Sequence, residues 1–213
     1  TDFVATNKEF IELVELVLDK GFGLVEKDDI LEKSVLGKTV KEIINNKIAT
    51  IGENINLRRA TSIKGPNIYA YIHNSVSKDC GKIGVLVSLE GSKNEDFGKK
   101  LAMHIAATSP LAVSETDIDK TLIDREKKII SEQLISEGKP ADIAEKILSG
   151  KLKKFYEENT LLNQKFVMDP DTSIRHVLEK NNQVLINFVR FKVGEGLDKK
   201  ESDFATEVKD IVN

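Results

Sequence analysis

Val184-Leu185-Ile186-Asn187-Phe188-Val189-Arg190-Phe191-Lys192-Val193 is the stretch that decides the fold class. It is rich in β-branched and aromatic side chains, and Val189, Phe191 and Val193 alternate against Arg190 and Lys192. That period of two predicts a strand with one apolar and one polar face. Upstream, Ile68-Tyr69-Ala70-Tyr71-Ile72-His73 and the run from Lys82 to Glu90 carry the same signature. The polar segment from Asn74 to Gly81 joins them, which predicts a hairpin with a longish loop. A weaker strand signal covers Leu57 to Lys64.

Helical periods fill the intervals. Thr6 with Glu9, Thr39 with Glu42 and Ser92 with Glu95 each have the spacing of a capping box ahead of an apolar periodic run. Gly21 ends the first helix, Gly52 sits where a left-handed C-cap belongs on the second, and Pro110 limits the third. Strands separated by helices without a βαβ rhythm predict an α+β fold. In it, 68–73, 82–90 and 184–193 form one antiparallel sheet covered by helices over 92–108 and 172–181. From about Ser114 to Leu162 strand signals vanish. Leu122, Ile123, Glu126, Ile130 and Leu134 keep a helical period until Gly138-Lys139-Pro140 breaks it. A second helix through Ile143, Ile147 and Leu148 and a third around Leu152 and Phe155 run back. The economical reading is a helical hairpin inserted into the α+β body, its apolar stripe facing either that body or a second copy.

Composition bounds the chemistry. The 213 residues, 40% hydrophobic and 31% charged, are enough to bury a core without disulfides. No apolar run approaches the ~20 residues that span a bilayer. The balance of 32 basic and 35 acidic residues, net −3, disfavours an affinity built on neutralising phosphates. The single Cys80 excludes an intramolecular disulfide or a CxxC zinc site and suits a reducing compartment. No targeting segment is visible, although the sequence opens at TDFV without an initiating Met.

The usual catalytic signatures fail one by one. Gly91 to Lys100 resembles a P-loop, but its glycines are too far apart, no Ser or Thr follows Gly98-Lys99, and Gly98 falls inside a predicted helix. Gly194-Glu195-Gly196 is a turn, lacking the third glycine and the helix of a dinucleotide fingerprint. His73, His104 and His176 have no ligand partners at metal spacing. His104 reads as a core histidine on an apolar stripe, whereas His73 ends a strand beside a polar loop and is expected to be accessible. No nucleophile elbow occurs, and Cys80 lies in a polar loop with no activating base. Lys151-Leu152-Lys153-Lys154-Phe155 reads as an amphipathic helix with solvated lysines, and Arg58-Arg59 as a structural pair. Asp2-Phe3 and Val167-Met168 remain. Core packing is the plain reading of both, and exposed apolar loop residues would instead mark a protein-binding surface.

TDFVATN at 1–7, TIGENINLRRA at 50–60, KIGVLVSLEG at 82–91, KKLAMHIAATSP at 99–110 and SEGKPADIAEKILSGKLKKF at 136–155 follow one another along the chain. QKFVMDPDTSI at 164–174, NFVRFKVGEG at 187–196 and ESDFATEV at 201–208 complete the set. In that order these segments resemble the elongation factor Ts family, exchange factors of the translational GTPase elongation factor Tu, and the resemblance spans essentially the whole chain.

The resemblance implies a binding protein that promotes GDP release by disturbing the Mg²⁺ and phosphate site, with no covalent chemistry and no cofactor of its own. Phe3 would enter the partner's G domain near switch II, with Asp2 holding the loop. Ile51 and Gly52 would press on the same domain from a helix C-terminus. His73, Val167 and Met168 would grip partner domain 3. The implied organisation is an N-terminal subdomain over 1–66, a C-terminal subdomain over 67–113 and 163–196, a hairpin over 114–162 and a C-terminal module over 197–213. That hairpin serves family members for dimerisation or as an arm. The resemblance also implies a cytoplasmic setting, bacterial-type or else organellar, with no direct nucleic acid or membrane partner. Family members carry a small helical ubiquitin-associated-like domain and two strands ahead of TDFV; without those strands 57–64 is expected to be an exposed edge. A scaffold that binds the same partner without exchange is the alternative function.

Overall fold

The computed structural model describes residues 1–196, and the C-terminal module expected over 197–213 lies outside the described residues. The chain opens with a one-turn helix, α1 (Asp2–Ala5), followed by α2 (Lys8–Lys20) and α3 (Lys27–Leu31). The cap expected at Thr6 falls on Asn7 instead, whose Oδ1 accepts the Glu9 N–H at 2.8 Å. Thr6 is not free to cap: it already ends α1 in αR geometry, its hydroxyl donating to the Phe3 carbonyl at 3.1 Å.

A minimal hairpin, β1 (Ser34–Val35) and β2 (Lys38–Thr39), leads into α4 (Val40–Ile51). Here the capping box forms as its spacing requires. Glu42 N–H donates to Thr39 Oγ1 at 3.2 Å and Thr39 N–H donates back to Glu42 Oε2 at 2.7 Å. Gly52 closes α4 at φ 81°, the left-handed region that a β-carbon penalises. Leu13, Ile30, Val40 and Ile44 form the buried centre of this helical part, with Ile48, Ile55, Leu57 and Ala60 packed around it. Residues 57–64 form no strand. A ladder needs a neighbour, and side-chain packing of Leu57 and Ala60 holds the segment in its place.

The sheet matches its prediction. β3 (Asn67–Ser75), β4 (Gly81–Gly91) and a late strand, Gln183–Lys192, pair antiparallel with β4 in the middle. The β3–β4 loop is shorter than expected, closed by Val76 N–H on the Cys80 carbonyl at 2.8 Å, and Cys80 is buried rather than in an open polar loop. Next comes α5 (Glu95–Thr108), capped not by Ser92 but by Asn94, whose Oδ1 accepts the Phe97 N–H at 3.1 Å.

Then follow two long helices, α6 (Lys120–Ser136) and α7 (Ala141–Asn159), joined where Gly138-Lys139-Pro140 predicts. The return limb is one continuous helix rather than two, because no residue within 141–159 removes a hydrogen-bond donor from its ladder. A small hairpin, β5 (Lys165–Phe166) and β6 (Asp169–Ser173), precedes α8 (Ile174–Lys180) and β7, the Gln183–Lys192 strand.

α5 and α8 cover one face of the sheet. Tyr69, Val85, Val87 and Leu89 meet Phe97, Leu101, Ile105, Ile174 and Leu178 there. Each such side chain contributes ~1.5–3 kcal/mol on burial. The facing of β7 differs from the simple alternation. Leu89 opposes Leu185 and Ser88 opposes Asn187, so Ile186 is an extra, bulged residue. The phase slips by one, and Leu185, Phe188 and Arg190 turn toward the helices while Val189 and Phe191 face away. Arg190 is accommodated on that side because its guanidinium donates to the Ala106 carbonyl near the end of α5, from Nε and from an Nη, each at 3.3 Å.

Candidate partner-binding site

Phe3 is the third residue of the chain and 89% exposed. Its backbone is nonetheless fixed. Thr1 Oγ1 accepts the Val4 N–H at 3.4 Å and donates to Glu53 Oε1 at 2.6 Å, while Thr6 ties to the Phe3 carbonyl. The Thr1–Glu53 bond sets the turn that carries Phe3 beside the end of α4, where Ile51 is the last helical residue, half-buried, and Gly52 is exposed. Lys47 near the end of α4 pairs with Glu9 at the start of α2 at 2.8 Å, which brings the same ends together. Phe3, Ile51 and Gly52, distant in sequence, thus share one end of the helical part. Asp2 is the first residue of α1, and the role expected of its carboxylate lies outside the described part of the chain.

The other three expected residues lie on the sheet half. His73 is exposed toward the end of β3, an edge strand, paired with Ile83. The Tyr71 hydroxyl meets its Nδ1 at 3.1 Å. Val167 and Met168 form the turn between β5 and β6 and are 43% and 47% exposed.

Behind that turn the buried imidazole of His104 contacts it directly: Nδ1 accepts the Val167 N–H at 3.3 Å. Nε2 therefore carries the proton and donates to Gln164 Oε1 at 3.0 Å, an oxygen that also accepts from Thr108 Oγ1 at 2.9 Å. The Phe166 ring lies against the imidazole, centroids 5.8 Å apart. Burial pushes the His104 imidazole below its ordinary value, partly opposed by the Gln164 hydrogen bond. The core reading of His104 holds, but sequence reasoning missed its bond to the Val167 backbone. No periodicity encodes which main-chain group a buried ring will meet.

A second feature was also illegible. Glu195 gathers three arginines: its carbonyl accepts from Arg58 at 2.8 Å, and its carboxylate meets Arg59 at 3.1 Å and Arg190 at 3.4 Å. Arg59 also stacks over Phe191 at 4.4 Å from the ring centroid. The structural reading of Arg58-Arg59 and of the Gly194-Glu195-Gly196 turn thus acquires a partner for each. Among the described residues no group of three or more His, Cys, Asp or Glu side chains is placed to hold a metal ion, and no helix is long and apolar enough to cross a membrane.

The family model described as Elongation factor TS matches residues 1–195. The chain is 43% identical to elongation factor Ts of Paracoccus denitrificans over 211 residues, 98% of this chain and 71% of that one. It is 41% identical to elongation factor Ts of Dinoroseobacter shibae over 213 residues, 100% of this chain and 73% of that one. For a Ruegeria elongation factor Ts the figures are 40% over 208 residues, 98% of this chain and 71% of that one. With a family model spanning nearly all the described residues and relatives this similar along the whole sequence, the chain belongs to the elongation factor Ts family.

Proposed function

We propose that this chain is a cytoplasmic guanine-nucleotide exchange factor that binds elongation factor Tu in its GDP form and speeds GDP release. The observation that carries the reading is Phe3, an aromatic ring almost fully in solvent on a turn that three side-chain hydrogen bonds hold still. A free ring on a rigid turn contributes large apolar contact area at small entropic cost.

Exchange is a coupling free energy: factor and nucleotide weaken each other's binding reciprocally, with no bond made or broken. Phe3 acts as a wedge in the partner's G domain, with Ile51 and Gly52 pressing beside it. Displacing the elements that coordinate Mg²⁺ removes the charge that neutralises the β-phosphate, and GDP leaves faster. His73, Val167 and Met168 grip a second partner domain, so that the wedge is driven from a fixed support. In this reading 1–66 forms the wedge-bearing subdomain, while 67–113 with 163–196 forms the gripping one.

The arm over 114–162 is proposed as a self-association surface. Leu122, Ile129, Ile135 and Ile143 are exposed along α6 and the start of α7, which favours a second copy as their cover. Sedimentation that stays monomeric across a hundredfold range of concentration would contradict that part.

Stopped-flow release of fluorescent GDP from loaded elongation factor Tu tests the central proposal. Release accelerated by substoichiometric chain is expected. Binding without acceleration would leave a scaffold in place of an exchange factor.

A further inference from the structure

We infer that His104 is the positioning residue of the Val167–Met168 turn, its Nδ1 holding the Val167 N–H so that both apolar side chains are presented to the partner. The inference rests on the reading of that turn as a partner contact. Val167 and Met168 occupy the two positions between Phe166 and Asp169, which pair directly, so the turn is as tight as a hairpin allows. Of the hydrogen bonds that reach it from outside the hairpin, the one from Val167 crosses 63 residues to His104 on α5.

The imidazole is itself over-determined. It is fully buried among the core residues of the sheet, packed on Phe166, and its Nε2–H is taken by Gln164, whose amide group donates to the Glu158 carbonyl at 2.6 Å and whose backbone carbonyl accepts the Ile174 N–H at 2.9 Å. Gln164 thereby fixes the tautomer in which Nδ1 presents a lone pair. A chain of bonds runs from the end of α7 through Gln164 and His104 to the backbone of the exposed turn. A histidine retained only for packing needs no acceptor aimed at a surface loop, and leucine would fill its volume at lower cost in buried polarity.

Two substitutions separate positioning from mere support. His104→Asn keeps an acceptor at the branch corresponding to Nδ1 but abandons Gln164, whereas His104→Gln keeps reach toward Gln164 but loses the acceptor for Val167. His104→Gln is expected to raise the KM for elongation factor Tu–GDP about fivefold with kcat unchanged, as loss of one ordering hydrogen bond would. The Val167 amide should exchange with solvent at least about tenfold faster in that variant. His104→Asn should be the less stable protein yet keep KM within about twofold.

Met168→Ala combined with His104→Gln should bind no more weakly than Met168→Ala alone, because both act through one turn. Unchanged Val167 protection in His104→Gln, a KM that follows stability across both variants, or additive effects with Met168→Ala would overturn the inference. An unchanged KM in Met168→Ala by itself would overturn the reading of the turn as a contact, and the inference with it.

Discussion

The Thr1 hydroxyl donates to the Glu53 carboxylate at 2.6 Å across 52 residues of sequence, joining the turn that carries Phe3 to the chain just beyond Gly52. Two segments with no sequence relation, TDFV and IGEN, are therefore tied into one surface. Glu53→Ala should slow catalysed GDP release by about two- to tenfold, the net effect of one such hydrogen bond. The urea midpoint should stay close to the parent's, since the pair is largely solvent-exposed. Exchange at the full rate in this variant would show that the two segments act separately.

Gly98 lies against the ring of Tyr69, where an added β-carbon would fall within the ring atoms. Tyr69 cannot retreat easily, because it is buried and its hydroxyl accepts the Asn94 N–H at 2.9 Å at the start of α5. Gly98→Ala should cost about 1–3 kcal/mol by overpacking, read from urea denaturation midpoints. It gains helix propensity of ~1 kcal/mol, so a variant more stable than the parent would show that α5 shifts freely on the sheet.

The Glu195 carboxylate holds Arg59 and Arg190 together and its carbonyl holds Arg58. Arg190 is the most enclosed of these, with a side chain 10% exposed, and would lose its carboxylate partner. Glu195→Ala should lower stability by about 1 kcal/mol at low salt, and by less in 1 M salt, where partly exposed pairs are screened. A loss that does not shrink with salt would assign the effect to the turn backbone instead.

Much of this architecture was legible from residues. The Thr39–Glu42 box, the left-handed Gly52 and the Pro140 break each act within one helical turn, so their spacing carries their geometry. The three sheet strands were legible because their composition is distinctive. What failed was decided by partners. Thr6 did not cap because α1 took its hydroxyl, 57–64 made no strand, and the bulge at Ile186 inverted the facing of Arg190. Within the candidate site, Phe3 and the Val167–Met168 turn stood out as apolar residues in loops. The Glu53 tether, the His104 bond and the Glu195 clasp did not, since each joins groups dozens of residues apart.

Burial holds the His104 imidazole below its ordinary value of 6.5. The unfolded chain takes up that proton near pH 6.5 and the folded chain only at lower pH, so between these values unfolding is coupled to proton uptake. The stabilisation is present above pH 6.5 and is lost as the pH falls through the folded value. Urea midpoints should decline on passing from pH 7.5 to 5.5, and His104→Asn should flatten that decline. A slope that is the same in both proteins would show that His104 does not titrate over this range.

Phe3→Ala tests the exchange mechanism most directly. Fluorescent GDP release from elongation factor Tu is followed by stopped flow at saturating factor, with circular dichroism and thermal unfolding measured alongside. Because the ring is 89% exposed, its removal should leave the fold and its midpoint unchanged. Losing an interface anchor of ~2 kcal/mol or more should nevertheless slow catalysed release at least about tenfold. A Phe3→Ala protein that accelerates GDP release from elongation factor Tu as fast as the parent does would contradict the account.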